Sequence, residues 1–277
     1  MNMSNKQKKK KKSSTLSNLM IGVLIGIICV CLFKLGPYYL SRGKSKKDYQ
    51  KMADKVVQTS TEAEDSTGDT KPVNDDWWYK DVKVDLASLQ KINSETAAWV
   101  RFDHPKQICV NYPVMACGSD EKYLHHNIYG KYSYPGVLFL SKDNSTDLSD
   151  YSQIIYGHNM RNGTMFGTLK RLKDKRIYKK NQYFTIYTID MAYRYRIFSV
   201  FATKVGSRVY TTGYAPDKEY QSYLHYLKAN SEFNTHVKVS KEDPTTILST
   251  CTSSSDNSRF VVCGILVDEH GYDGGSN

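Results

Sequence analysis

No Cys-x-x-Cys pair occurs anywhere in the 277 residues. Structural zinc sites are built on closely spaced cysteine and histidine ligands, so the sequence argues against a zinc-stapled fold. Of the six cysteines, Cys29 and Cys31 lie inside an apolar stretch. The other four, Cys109, Cys117, Cys251 and Cys263, are too scattered to form a disulfide framework. Cys109 and Cys117 flank a Pro-Val turn region and are expected to stay unpaired. No acidic cluster has the spacing of a calcium site, so neither metal nor cofactor is expected. Net charge is missing from most of the chain as well. The formal charge is +11, yet residues 1–51 hold twelve Lys/Arg against the single acid Asp48, which leaves 27 bases and 27 acids in the remaining 226 residues. A neutral body argues against nucleic-acid binding, which needs a concentrated basic surface.

A third absence is a small-x-small cleavage site after the apolar run Leu19 to Phe33 (LMIGVLIGIICVCLF). An uncleaved signal anchor over residues 16–40 is therefore expected in place of a removed signal peptide. Lys34 can snorkel to the interface, and Pro37, Tyr38 and Tyr39 suit the headgroup boundary. The lysine block Lys8 to Lys12 favours an N-terminus inside, with residues 1–15 cytoplasmic and the bulk of the chain extracytoplasmic. Residues 41–76 have little apolar content and are expected to form a stalk, with a short helical patch near Tyr49 to Val57. The folded domain is expected over 77–277, starting at Trp77 and Trp78.

No internal repeat is visible in that domain. Val84, Leu86, Leu89 and Ile92 are spaced like one helix face. Eight strand-like runs follow: 98–102, 108–114, 136–140, 153–158, 183–189, 193–205, 245–251 and 259–267. Separated by Gly, Pro, Asn and Asp clusters, they predict a mainly antiparallel β-barrel or sandwich. Two helical inserts are expected, one from Met165, Leu169 and Leu172, the other between Asp217 and Ala229 with Tyr220, Tyr223, Leu224 and Leu227 on one stripe.

The stretch ILSTCTSSSDNSRFVV (247–262) carries the chemistry. Ile247, Ser249 and Cys251 share one strand face, with Leu248 and Thr250 on the other. If the flanking runs form a hairpin, Arg259 returns opposite Cys251. A fixed cation there favours a thiolate, or an oxyanion formed by attack on a carbonyl. A buried core cysteine beside a surface arginine is the competing interpretation. Among seven histidines, His104, His125, His126, His225, His236 and His270 lie in loop, helix or tail contexts that fit surface roles. His158 ends the apolar run QIIYG and precedes a loop, a placement suited to a rigidly held general acid.

The stretches IIYGHNMRNGTMFGTLKRL (154–172) and ILSTCTSSSDNSRFVV resemble the two signature regions of sortases, membrane-anchored cysteine transpeptidases of Gram-positive bacteria. L-S-T-C with a downstream Arg-x-V-V is similar to the sortase T-L-x-T-C…R pattern, except that Ile247 stands where Thr is usual. The Y-G-H-N-M-x-x-G-x-M-F segment, the helix before W-V-R-F and the helix after Asp217 are similar to class B members. The resemblance runs from about Trp77 to Val267. It implies an eight-stranded sortase-type barrel with an N-terminal helix and a helix inserted before the cysteine strand. It further implies Cys251 as nucleophile, His158 as general acid and base, Arg259 as carbonyl or oxyanion stabiliser, and Tyr156, Ser249 and Thr250 as pocket residues. The implied reaction cleaves a Thr–X bond in a C-terminal sorting motif of secreted proteins and passes the acyl group to an amine of a peptidoglycan precursor. Cys263 departs from relatives that carry a histidine or another residue there. It lies roughly 13 Å along the strand from Arg259, too far for a disulfide to Cys251, and is expected to be a buried small hydrophobe. The absence of a D-P-aromatic lid and of a C-terminal apolar anchor argues against the pilus-polymerising class. Two alternatives stay open: a cysteine peptidase releasing the acyl group to water, and a membrane-tethered β-domain that binds wall or pilin segments without turnover.

Overall fold

The apolar runs become strands because neighbouring residues serve two different cores. In the computed structural model, which describes residues 4–59, 77–251 and 257–272, the side chains of residues 4–15 and 34–42, of Trp77 and of Cys251 are outside the description. The elements in chain order are α1 (Ser4–Val56), β1 (Val57–Thr59), α2 (Trp77–Lys80), β2 (Val82–Val84), α3 (Leu86–Ile92), β3 (Thr96–Phe102), β4 (Asn111–Met115) and β5 (Leu138–Leu140). They continue with β6 (Ser152–His158), α4 (Lys175–Lys180), β7 (Tyr183–Tyr187), β8 (Met191–Lys204), α5 (Lys218–Ala229), β9 (Thr245–Cys251) and β10 (Ser258–Gly271). Eight of the strands close a barrel in the order β10-β8-β7-β3-β4-β5-β6-β9, and β1 pairs with β2 in a separate two-stranded sheet. The pairs β4–β5 and β6–β9 are parallel and the others antiparallel.

Period-two alternation decides which side chain enters which core. Ile155, Leu248 and Val262 belong to the larger apolar cluster, whereas their neighbours Ile154, Ile247 and Val261 join the stripe of α5 in a second one. Strands buried on both faces read as continuous apolar runs, which is why these segments do not alternate with polar residues. The α5 stripe is as the spacing predicts, with Tyr220, Tyr223, Leu224 and Leu227 all buried. Asp217 caps the helix, accepting from Glu219 N at 2.9 Å and Tyr220 N at 3.0 Å.

Three expectations need correction. Val84 is not on the first helix: it pairs with Val57 across β1–β2, and α3 begins at Leu86 because Asp85 caps it, accepting from Ser88 N at 3.0 Å. Ile92, the last residue of the expected stripe, is 46% exposed. Met165 also lies outside any helix. It has φ 53° and bridges back to Asn159, so the turn after β6 folds on itself before a 3-10 helix spans Leu169–Lys173. Lastly, the chain forms two compact units, residues 1–45 and residues 46–277, so the body starts well before Trp77. Tyr49, Met52, Ala53 and Val56 of α1 are buried in the larger cluster, occupying i, i+3, i+4 and i+7 of one helix face. This half of the expected stalk is therefore structural; residues 60–76 lie outside the described residues. In the first unit, α1 carries the apolar segment Leu16–Phe33, exposed along its length and long enough to cross a bilayer.

Candidate active site

Strand register assembles the site. Along β6 and β9 the paired positions are Tyr156 with Ser249, Gly157 with Thr250 and His158 with Cys251. Because the two strands are parallel, their carboxyl ends finish on the same edge of the barrel, with His158 and Cys251 as the last residue of each. On the other side of β9, Val261 pairs with Ser249. One position further, the Thr250 hydroxyl accepts from Phe260 N at 3.0 Å and donates to Phe260 O at 3.3 Å. The β9–β10 ladder ends at Val261 and Ser249, and Arg259, two residues before Val261, pairs with Thr203 of β8. His158 and Cys251 thus stand in one row across β6 and β9, about 4.8 Å apart along the ladder, and Arg259 lies near the same end of β10, the next strand.

His158 is held tightly. Its Nε2 lies 2.9 Å from the Leu124 carbonyl, an acceptor, so Nε2 carries the proton and Nδ1 is the basic nitrogen. The ring packs against His125, centroids 5.3 Å apart, and against Tyr134 at 6.0 Å. Burial lowers the His158 pKa below the usual imidazole value. The Leu124 carbonyl opposes that shift and the charge of His125 adds to it. The segment presenting Leu124 is itself pinned. The Tyr123 hydroxyl donates to Glu95 and accepts from Asn93 Nδ2 at 2.8 Å, and Val137 N donates to Tyr123 O at 3.2 Å. Gly136, at φ +56°, lies against this turn so closely that a Cβ would run into the carbonyls of Tyr123 and Leu124. Only glycine fits both constraints.

The remaining expected residues divide. Ser249 is buried with its hydroxyl 3.1 Å from Tyr210 OH, and the rings of Tyr156 and Tyr210 lie 6.2 Å apart at 21°. These three belong to one patch next to the row. Thr250 belongs elsewhere: fully buried, its hydroxyl spans the Phe260 N–H and C=O and fixes the β9–β10 register. Arg259 is half-buried and donates from Nη1 to Ser258 O at 3.1 Å. Cys29, Cys31, Cys109, Cys117 and Cys263 are all free thiols. Cys263 is fully buried and burial pushes its thiol well up, and Cys117 is raised for the same reason, so neither is a ready nucleophile. Among the described residues no three His, Cys, Asp or Glu side chains gather in a metal-binding group.

Sequence reasoning misses Leu124, His125, Tyr134 and Tyr210. All four sit in loops or short turns far along the chain from their partners, and a carbonyl acceptor leaves no trace in residue type. The one local signal is the paired His125-His126 followed by Tyr129, Tyr132 and Tyr134.

A cysteine position paired with a half-buried imidazole, with an arginine on the next strand, is equipment for acyl transfer. The family model "Sortase domain" matches residues 105–267, more than half the chain. Sortase B of Listeria monocytogenes is 30% identical over 189 residues, covering 68% of this chain and 76% of that protein. Among solved structures, the Staphylococcus aureus sortase B–substrate complex superposes with a TM-score of 0.62 at 26% identity, covering 66% of this chain and 84% of the other. Sortase B of Clostridium perfringens does so with a TM-score of 0.60 at 28% identity, covering 66% of this chain and all of that one. With fold, motifs and relatives in agreement, neither a hydrolytic peptidase nor a non-catalytic binding domain is favoured, and the chain belongs to the sortase family as a class B-like cysteine transpeptidase.

Proposed function

We propose that Cys251 is the nucleophile, His158 the general acid and base, and Arg259 the group that stabilises the substrate carbonyl as it becomes an oxyanion. The carrying observation is the β6–β9 register, in which His158 and Cys251 are paired positions; Arg259, near the start of the adjacent strand β10, supports the reading. The Cys251 thiolate attacks the carbonyl of the Thr–X bond in a C-terminal sorting motif of a secreted protein. His158, having taken the thiol proton at Nδ1 as the thiolate forms, gives that proton to the departing amine, leaving a thioester and a neutral imidazole. An amine of a peptidoglycan precursor then attacks the thioester, His158 takes the proton, and the Cys251 thiolate departs. Burial serves both halves: a lowered pKa keeps the imidazole neutral and ready to accept, and makes the imidazolium, once formed, a stronger donor. Tyr156, Ser249 and Tyr210 form a pocket wall for the motif. Thr250 supports it from behind by holding the strands in register.

The apolar helix Leu16–Phe33 is the membrane anchor, with the lysine-rich N-terminus inside and the barrel outside. Tethering substrate, enzyme and lipid-linked acceptor to one surface makes their encounter effectively intramolecular. Motifs of the type Asn-Pro-x-Thr-x are expected in preference to Leu-Pro-x-Thr-Gly.

The test is intact-mass spectrometry of the full chain in detergent with pooled sorting-motif peptides, alongside Cys251→Ala. An acyl increment on the wild type alone, discharged by an added amine, supports the reading and names the motif. Equal increments on both proteins, or no increment combined with a Cys251 inert to thiol reagents, overturn it.

A further inference from the structure

We propose that His125 is a positioning residue for the transfer reaction: its ring, fastened through Nδ1 to the Tyr134 carbonyl, walls the slot in which the His158 imidazole is held on the Leu124 carbonyl. The inference rests on His158 acting as the general acid and base. One hydrogen bond at Nε2 leaves an imidazole free to swing about that contact, and a general acid that swings loses its alignment with the reacting bond. Two further rings remove this freedom. His125, Tyr134 and His158 form a triangle of centroids with sides of 5.3, 5.8 and 6.0 Å, and the planes of Tyr134 and His158 are within 13° of each other. His125 cannot turn away from its side of the triangle, because Nδ1 is 3.1 Å from Tyr134 O and its own carbonyl accepts from Ser133 N at 2.9 Å. Leu124 and His125 are consecutive, so one short segment supplies both the hydrogen bond and the wall.

The same arrangement gives His125 an electrical role. Among the described residues, His125 and Tyr134 are the titratable side chains whose rings meet His158, and Cys251 holds the paired position of β9. A proton on His125 opposes one on His158, and this repulsion reinforces burial in holding the His158 pKa down. Replacing the His125 imidazole with a phenyl ring keeps a ring face against His158 but removes both the repulsion and the Nδ1 tether to the Tyr134 carbonyl.

The experiment uses the full chain in detergent with His125→Ala and His125→Phe, reading steady-state transfer and the titration of the His158 imidazole by 15N NMR. His125→Ala is expected to lower kcat about 10- to 100-fold with KM for the sorting peptide within twofold, as for a misplaced catalytic group. His125→Phe, which restores the ring face without its tether, should recover part of kcat, and the His158 midpoint should rise in both variants. Wild-type kcat in His125→Ala, a loss confined to KM, or an unmoved His158 midpoint in His125→Phe each overturns the proposal. If His125→Ala fails to fold, His125→Phe decides alone through that midpoint. Failure of the parent reading looks different: His158→Ala retaining transfer removes His158 from the reaction and this proposal with it, while the His158 titration is read without turnover.

Discussion

Gly157→Ala tests whether the strand interior sets the position of the candidate acid–base group. Gly157 sits between Tyr156 and His158 in β6, and a Cβ added there would overlap Leu138 Cδ2 and approach Phe166 Cδ2 to 2.7 Å and Cγ to 2.9 Å. Ordinary contact starts near 3.4 Å, so the Phe166 ring must retreat by about 0.5–0.7 Å. Leu138 is the end of a flexible chain, but it is fully buried and has little room. Phe166 is also fully buried, and its N–H donates to the His158 carbonyl at 3.0 Å, so its retreat pulls on the residue whose placement matters. Overpacking of this kind costs about 1–3 kcal/mol. For a body of this size each kcal/mol is about 2–4 °C in Tm, giving a fall of roughly 2–12 °C. A displacement of His158 approaching 1 Å would lower kcat on the order of 100-fold. Thermal unfolding and peptide transfer on the same preparation read both numbers. Phe166→Leu should relieve the overlap, so the double variant should be more stable than the sum of the singles by about 0.5 kcal/mol or more. A Gly157→Ala protein with wild-type Tm and kcat, or a double variant that is merely additive, refutes the reasoning.

His158 also makes a signed contribution to the pH dependence of stability. Its folded pKa is lowered, chiefly by burial, so the unfolded chain binds the proton more tightly and stability falls as pH drops from about 6.5 through the lower folded value. His158→Gln should therefore flatten the decline of Tm between pH 7 and pH 5, and an unchanged slope would contradict the burial argument. Truncation tests where the body begins. Tyr49, Met52 and Val56 are each at least 93% buried, worth up to about 1.5–3 kcal/mol apiece, so a chain starting at Trp77 should melt on the order of 10 °C or more below one starting at Lys46. Equal melting temperatures would show that these contacts contribute little.

How much was legible in the sequence depends on the distance over which the information acts. The barrel strands, the α5 stripe and the antiparallel pairing of the Cys251 strand with the Arg259 strand follow from local alternation and spacing, all written in contiguous residues. The last turns of α1 were legible too. Tyr49, Met52, Ala53 and Val56 have helix-face spacing, but averaging over their charged neighbours hides it, and a segment that looks like a stalk turns out to be part of the core. The loop bearing Leu124, His125 and Tyr134 was not legible, because its contribution is a carbonyl and two ring faces brought together by hydrogen bonds from Asn93, Ser133 and Val137.

The parallel pairing of β6 with β9 stands between these cases, and it shows how plain core residues specify chemistry. Ile154 pairs with Ile247 and Ile155 with Leu248, and the two pairs enter different apolar clusters. A slip of one residue would send each isoleucine into the wrong cluster, so burial on both faces locks the register. That lock reaches four positions along the strand. With Ile154 opposite Ile247, His158 must stand opposite Cys251; after a slip it would stand opposite Thr250, whose hydroxyl is committed to Phe260. The side chains that bring the candidate pair His158 and Cys251 opposite each other are therefore ones with no chemistry of their own.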